Sequence, residues 1–104
     1  MVNWGTSLGR HALERLDRDA VIWLVTVGSD GTPQPRPVWF LWQQDQLLIY
    51  SRPGTFKLAH LAANPRVALH FDSDGWGGDI VVLTGEAHRD EAIPPADRVT
   101  AYIE

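Results

Sequence analysis

Residues 50–57 read Tyr50-Ser51-Arg52-Pro53-Gly54-Thr55-Phe56-Lys57, and they gather two small hydroxyls, a guanidinium and the only lysine of the chain. An apolar run gives way there to a Pro-Gly break and then to helical spacing, so the segment carries a strand into a helix start. Free backbone N–H groups and a partial positive charge at such a start stabilise an anion, for example a phosphate. Ser51 and Thr55 can donate hydrogen bonds, and Arg52 and Lys57 can neutralise charge. The same residues also fit an ordinary helix start, with Ser51 or Thr55 as cap and the cations in solvent. The spacing is not that of a P-loop.

A second stretch, Pro35-Arg36-Pro37-Val38-Trp39-Phe40-Leu41-Trp42, combines missing backbone donors with flat side chains. Such a strand can offer unpaired backbone groups and an aromatic surface to a planar heterocycle. Core packing is the competing account of Trp39, Phe40 and Trp42, and Arg36 also fits a solvated charge on a sheet edge.

Other chemistries lack their residues. The chain has no cysteine, which removes disulfides, thiolate nucleophiles, Cys-ligated zinc and iron–sulfur clusters. His11, His60, His70 and His88 are scattered and read as solvated or edge histidines. Asp72-Ser73-Asp74-Gly75 with Asp79 resembles part of a calcium loop, but its glycine comes early and no glutamate stands at the twelfth position. There is no Gly-x-Ser-x-Gly elbow, and Gly75, Gly77 and Gly78 lead into a strand, unlike a dinucleotide fingerprint.

These residues must be positioned by one small domain, since 104 residues with 44% hydrophobic content support a single core. A formal net charge of −4 argues against a nucleic-acid or polybasic membrane surface. No run approaches the roughly 20 apolar residues of a membrane span, and no export signal is visible at Met1-Val2-Asn3-Trp4-Gly5, so the expectation is a cytoplasmic protein.

Ser7 reads as the N-cap of a helix through Asp17, with Glu14 and Arg18 at an i,i+4 spacing. Residues 20–27 read as a strand buried on both faces, and Asp30-Gly31 as a hairpin turn. Residues 34–42 return antiparallel, with Pro33, Pro35 and Pro37 confining the first half to an edge or a bulge. Residues 47–51 form a third strand, 55–63 a short helix, 66–71 a fourth strand and 79–87 a fifth. From Pro94-Pro95 onward the sequence starts like a helix. The fold class expected is mainly β, an antiparallel barrel with short helices at its ends.

In this order, Trp23-Leu24-Val25-Thr26-Val27, Asp30-Gly31-Thr32-Pro33, Pro37-Val38-Trp39-Phe40, Tyr50-Ser51-Arg52, Thr55-x-Lys57 and Asn64-Pro65-Arg66-Val67 resemble the pyridoxamine 5'-phosphate oxidase-like split-barrel family. The resemblance runs from about Leu16 to Ala87 and is strongest to the branch that uses the deazaflavin coenzyme F420.

It implies a Greek-key-like FMN-binding split barrel, a homodimer with a flavin-type cofactor at the subunit interface. Arg36, Pro37, Val38, Trp39 and Phe40 would lie along the ring, and Tyr50, Ser51, Arg52, Thr55, Phe56 and Lys57 would serve the phosphate end. Trp76, in the Gly75-Trp76-Gly77-Gly78 loop, would cap the ring from the partner subunit. The activity implied is hydride transfer between F420 and a small organic substrate. FMN in place of F420, or a cofactor carrier with little turnover, are the alternatives, and a nucleic-acid-binding barrel is disfavoured by the acidic charge. Family members usually continue past the helix near Pro95 with a closing strand and a basic tail. The resemblance therefore implies a chain that stops short of both and leaves a barrel edge uncovered.

Overall fold

The computed structural model describes residues 2–43, 46–50, 61, 63–90 and 98–103. Its first element is a helix, α1 (Ser7–Arg18), and the cap is Thr6 rather than Ser7. Thr6 keeps extended backbone angles, its hydroxyl accepts the Gly9 N–H at 3.0 Å, and its carbonyl accepts the Arg10 N–H at 2.9 Å. Both residues can cap, and the one still outside the helical turn does so. Arg15 and Arg18 sit in the last turn, where cations complement the helix dipole. The expected Glu14–Arg18 pair does not form, because Arg18 turns to Asp19 and Glu14 lies beside His11.

Six strands follow: β1 (Val21–Val27), β2 (Pro33–Gln43), β3 (Gln46–Tyr50), β4 (Arg66–His70), β5 (Val82–Asp90) and β6 (Arg98–Ile103). They close a barrel in the order β1-β2-β3-β6-β5-β4, with every neighbouring pair antiparallel. The barrel expected from the sequence is therefore present, but its last strand corrects the reading of the C-terminal segment. Residues 98–103 are not helical; they pair with β3 on one side and β5 on the other, so the edge expected to be open is covered. Arg-Val-Thr-Ala-Tyr-Ile is rich in β-branched and aromatic residues, and two waiting ladders outweigh a proline-started helix that would have none. The helix expected over 55–63 falls mostly outside the described residues, although Leu61 and Ala63 are helical. The fifth strand starts at Val82 rather than Asp79, whose φ of 55° is incompatible with a ladder.

β1 buries one face only: Ile22, Leu24 and Thr26 are buried, while Val21 is exposed and Trp23, Val25 and Val27 are half-covered. The hairpin to β2 turns through Gly31 at φ 85°, with the Asp30 carboxylate accepting the Thr32 N–H at 2.9 Å. In β2, Phe40 donates its N–H to the Ala20 carbonyl at 3.1 Å. Antiparallel alternation then places Gln34, Arg36 and Val38 in hydrogen-bonded pairs with β1, and Pro33, Pro35 and Pro37 opposite Val27, Val25 and Trp23 in non-hydrogen-bonded pairs. Each proline thus stands where no ladder donor is required. β3 joins β2 only from Phe40 onward, so among the described residues the other side of residues 33–39 is an edge.

α1 packs Ala12 and Leu16 into the core formed by Ile22, Leu24, Phe40, Leu47, Ile49 and Leu69. Arg15 is buried beside them and fully engaged. Its Nε donates to Asp19 at 2.7 Å, its Nη1 to Asp79 at 3.0 Å and its Nη2 to the Asp72 carbonyl at 3.2 Å, and its Cζ lies 4.7 Å from the Phe71 ring centroid. His11 also hydrogen-bonds Asp79. Burial pushes the Asp19 carboxyl up, but the hydrogen bonds from Arg15 and Arg18 outweigh it and hold the group below its usual 3.8. At Asp79 the His11 hydrogen bond is the largest influence; partial desolvation opposes it, the Arg15 charge adds to it, and the net pKa is again lowered.

Both carboxyls have folded pKa values below their unfolded ones, so their contribution is complete above about pH 4 and is lost as pH falls through the folded values. Thermal unfolding followed between pH 6 and 2 is expected to show a steepening loss below pH 4 that Asp19→Asn reduces. Gly9 is tested separately: a Cβ there would lie 2.1 Å from the Asn3 carbonyl oxygen, where the N-terminal segment crosses the helix. Gly9→Ala is expected to cost about 1–3 kcal/mol in chemical denaturation, with the far-ultraviolet spectrum retained.

Candidate functional site

Alternation along the strands sorts β2 into two sets of side chains. Val38 and Phe40 point into the barrel and are buried, whereas Pro35, Pro37, Trp39 and Leu41 point outward. Trp39 is 74% exposed. Trp42 faces inward near the barrel end and meets Trp4 edge to face at a centroid distance of 5.8 Å. Core packing thus accounts for Phe40 and, in part, Trp42, but not for Trp39.

The outer face continues across four strands in register. Val82, His70, Trp23 and Pro37 form one row, and Thr84, Ala68, Val25 and Pro35 the next. Trp23 and His70 stack with ring planes 3° apart and centroids 6.0 Å apart. The indole N–H of Trp23 donates to the Asp72 carboxylate at 2.9 Å. These side chains, with Ile80 and Val82, floor a groove of about 510 Å³. The wall built by Trp23 and His70 lies outside the two stretches that the sequence marks as chemically loaded. Its only sequence signal was a strand too apolar on its second face for a solvated sheet.

At the β2 edge, Pro35 and Pro37 carry carbonyls that point away from β1 and no N–H beside them. The Pro35 carbonyl accepts from Arg36 Nη1 at 2.8 Å, and Arg36 Nη2 reaches the Gln34 side chain at 3.4 Å. An edge of acceptors with an exposed indole beside it suits a planar ligand that brings its own N–H donor, as the imide of a flavin or deazaflavin pyrimidine ring does. Pro37 and Trp39 thus share the outward face beside this edge, and Arg36, which leaves β2 on the other face, folds back only as far as the Pro35 carbonyl, while Val38 and Phe40 direct their side chains inward and their N–H groups to β1. Tyr50 ends β3, with its side chain outside the described residues, as are Ser51, Arg52, Thr55, Phe56 and Lys57.

Trp76 lies at the tip of the loop between β4 and β5 and is 93% exposed. The Asp74 carboxylate accepts the N–H groups of Trp76 at 2.7 Å and Gly78 at 3.0 Å, and the Asp74 N–H donates to the Gly78 carbonyl at 3.1 Å. Gly75 and Gly77 hold φ of 87° and 81°, a conformation that side chains resist. The carboxylates that hinted at a calcium loop are thus committed to the protein's own donors. Among the described residues, no three His, Cys, Asp or Glu side chains are arranged to hold a metal. Nor, among them, is any helix long and apolar enough to cross a membrane.

Comparison with known proteins bears on the fold and the family. A sequence profile of the pyridoxamine 5'-phosphate oxidase family matches residues 8–101. None of the curated proteins matches the sequence. Among solved structures, an F420 reductase superposes with a TM-score of 0.67 at 25% identity, covering 88% of this chain and 90% of its own. The FAD-binding protein from Mycobacterium smegmatis gives 0.66 at 25% identity, covering 86% and 83%. The haem storage protein HutZ from Vibrio cholerae shares the fold, with a TM-score of 0.67 at 15% identity and coverage of 95% and 90%. With a profile match over most of its length and a barrel of matching architecture, the chain belongs to the pyridoxamine 5'-phosphate oxidase family of flavin-binding split barrels.

Proposed function

We propose that the protein is a cytoplasmic, homodimeric oxidoreductase that uses F420 to transfer a hydride to or from a small organic substrate. The observation that carries this reading is the β2 edge, where the acceptor carbonyls of Pro35 and Pro37 stand beside the outward Trp39. Similarity to an F420 reductase supports the choice of cofactor. In this reading the β2 edge receives the pyrimidine side of the ring, and Trp39 covers part of it. Ser51, Arg52, Thr55 and Lys57 hold the phosphate by hydrogen bonds and charge. The deazaflavin, when bound, supplies two electrons as hydride from its central ring carbon. The protein binds and orients it and keeps water from the ring.

The outer face gives the dimer its basis. Val21, Trp39, Leu41, Ile80 and Val82 are all exposed on or beside the sheet formed by β5, β4, β1 and β2. Apolar side chains this closely grouped are unusual on a monomer. In this reading a second copy covers this face, and Trp76 of that copy caps the ring held by the first.

Titration of the purified protein with F420 and with FMN, followed by fluorescence, tests the cofactor. Saturation by F420 at about micromolar concentration or below is expected, with Lys57→Ala weakening it by about tenfold or more and leaving the melting temperature unchanged. Saturation by FMN alone would move the protein to flavin chemistry. Saturation by neither would overturn the reading, and binding without turnover of any reducible acceptor would leave a carrier. Sedimentation is expected to give a dimer.

A further inference from the structure

The loop that carries Trp76 is held at two levels. Near the tip, Asp74 takes the N–H groups of Trp76 and Gly78, and Gly78 sits so close that a Cβ on it would lie 2.5 Å from Asp74 Oδ2. At the base, one guanidinium spans the loop's two ends. Arg15 Nη2 donates to the Asp72 carbonyl at 3.2 Å and Nη1 to the Asp79 carboxylate at 3.0 Å, while Asp79 also receives His11. Arg15 is 6% exposed and is itself aimed by Asp19 through Nε at 2.7 Å. Asp79 adopts φ 55°, which turns its carboxylate back toward α1 and directs the chain into Ile80 and Val81. The backbone that carries the 93% exposed Trp76 is therefore held from both the tip and the base of the loop.

We propose that Arg15, through Asp72 and Asp79, is a positioning residue that clamps the 72–79 loop to α1 and holds the backbone carrying Trp76 in one place. Ordering the loop backbone in advance removes an entropy cost that would otherwise be charged against binding. The guanidinium suits the task because its planar fork reaches two acceptors at opposite ends of the loop, whereas an ammonium would serve them as a single point charge. The functional half of the proposal rests on the reading that Trp76 covers a ring held by the partner subunit; the mechanical half does not.

The test uses Arg15→Met and Asp79→Asn in the full chain. Asparagine tolerates a positive φ and Asp79 lies at the surface, so the second variant keeps the barrel if the first does not. Amide hydrogen exchange read by mass spectrometry is expected to quicken by about tenfold or more over residues 73–78 in both, with the β1 amides unchanged. F420 affinity is expected to fall by about tenfold in Arg15→Met and in Trp76→Ala, with no further loss in the double variant. That non-additivity would not arise from a general loss of stability. Unchanged loop exchange in Asp79→Asn would overturn the clamp, and full additivity with Trp76→Ala would overturn its role in binding. If Trp76→Ala leaves F420 affinity intact while the loop still exchanges faster, the ring-covering reading fails and the clamp stands.

Discussion

The ladder between β1 and β2 survives three prolines because all three fall on the same parity. Phe40 donating to Ala20 fixes which β2 residues face β1, and Pro33, Pro35 and Pro37 occupy the complementary positions. A shift of one residue would set the prolines against the ladder and at the same time turn Val38 and Phe40 out of the core. Register, core and edge chemistry are thus one constraint. The same alternation that buries Phe40 leaves Trp39 in solvent, and between Pro33 and Pro37 it gives the edge acceptors without donors.

The barrel and its helix meet through a charge that most cores would exclude. Arg15 lies among apolar side chains, yet all three of its nitrogens have partners and its guanidinium carbon lies over Phe71. A buried cation is tolerable only when it is paired and hydrogen-bonded in this way. The arrangement ties α1 to a loop more than fifty residues away in sequence. It fixes a part of the surface that core packing alone would leave free to move.

Residues 20–27, 34–42 and 66–71 disclosed their strands through β-branched and aromatic content, and Asp30-Gly31 disclosed the hairpin. The proline edge was legible too, because a missing N–H is a property of the residue itself. The C-terminal strand was not, since Pro94-Pro95 is a helix-start signal and the two ladders that recruit Arg98–Ile103 exist only once the barrel does. The Arg15 cluster was equally hidden. Arg15 and His11 read as ordinary helix residues, and their partner Asp79 is brought to them by the fold. The apolar run 20–27 reads as buried on both faces, but the neighbours of Trp23 across the sheet, His70 and Pro37, place it on the outer one.

The strand order also bears on how the molecule comes together. Four of its six ladders join strands consecutive in sequence, from β1 to β2 to β3 and from β4 to β5 to β6, so each half is a meander that can form from nearby contacts. The remaining two are seams, Trp23 against His70 and Gln46 against Tyr102, and they unite segments far apart in the chain. Closing such seams costs loop entropy that local hairpins avoid, which makes them the slow, high-contact-order part of folding. Because the second seam belongs to β6, the six residues Arg98–Ile103 act as the zipper that converts two curled sheets into one cooperative unit.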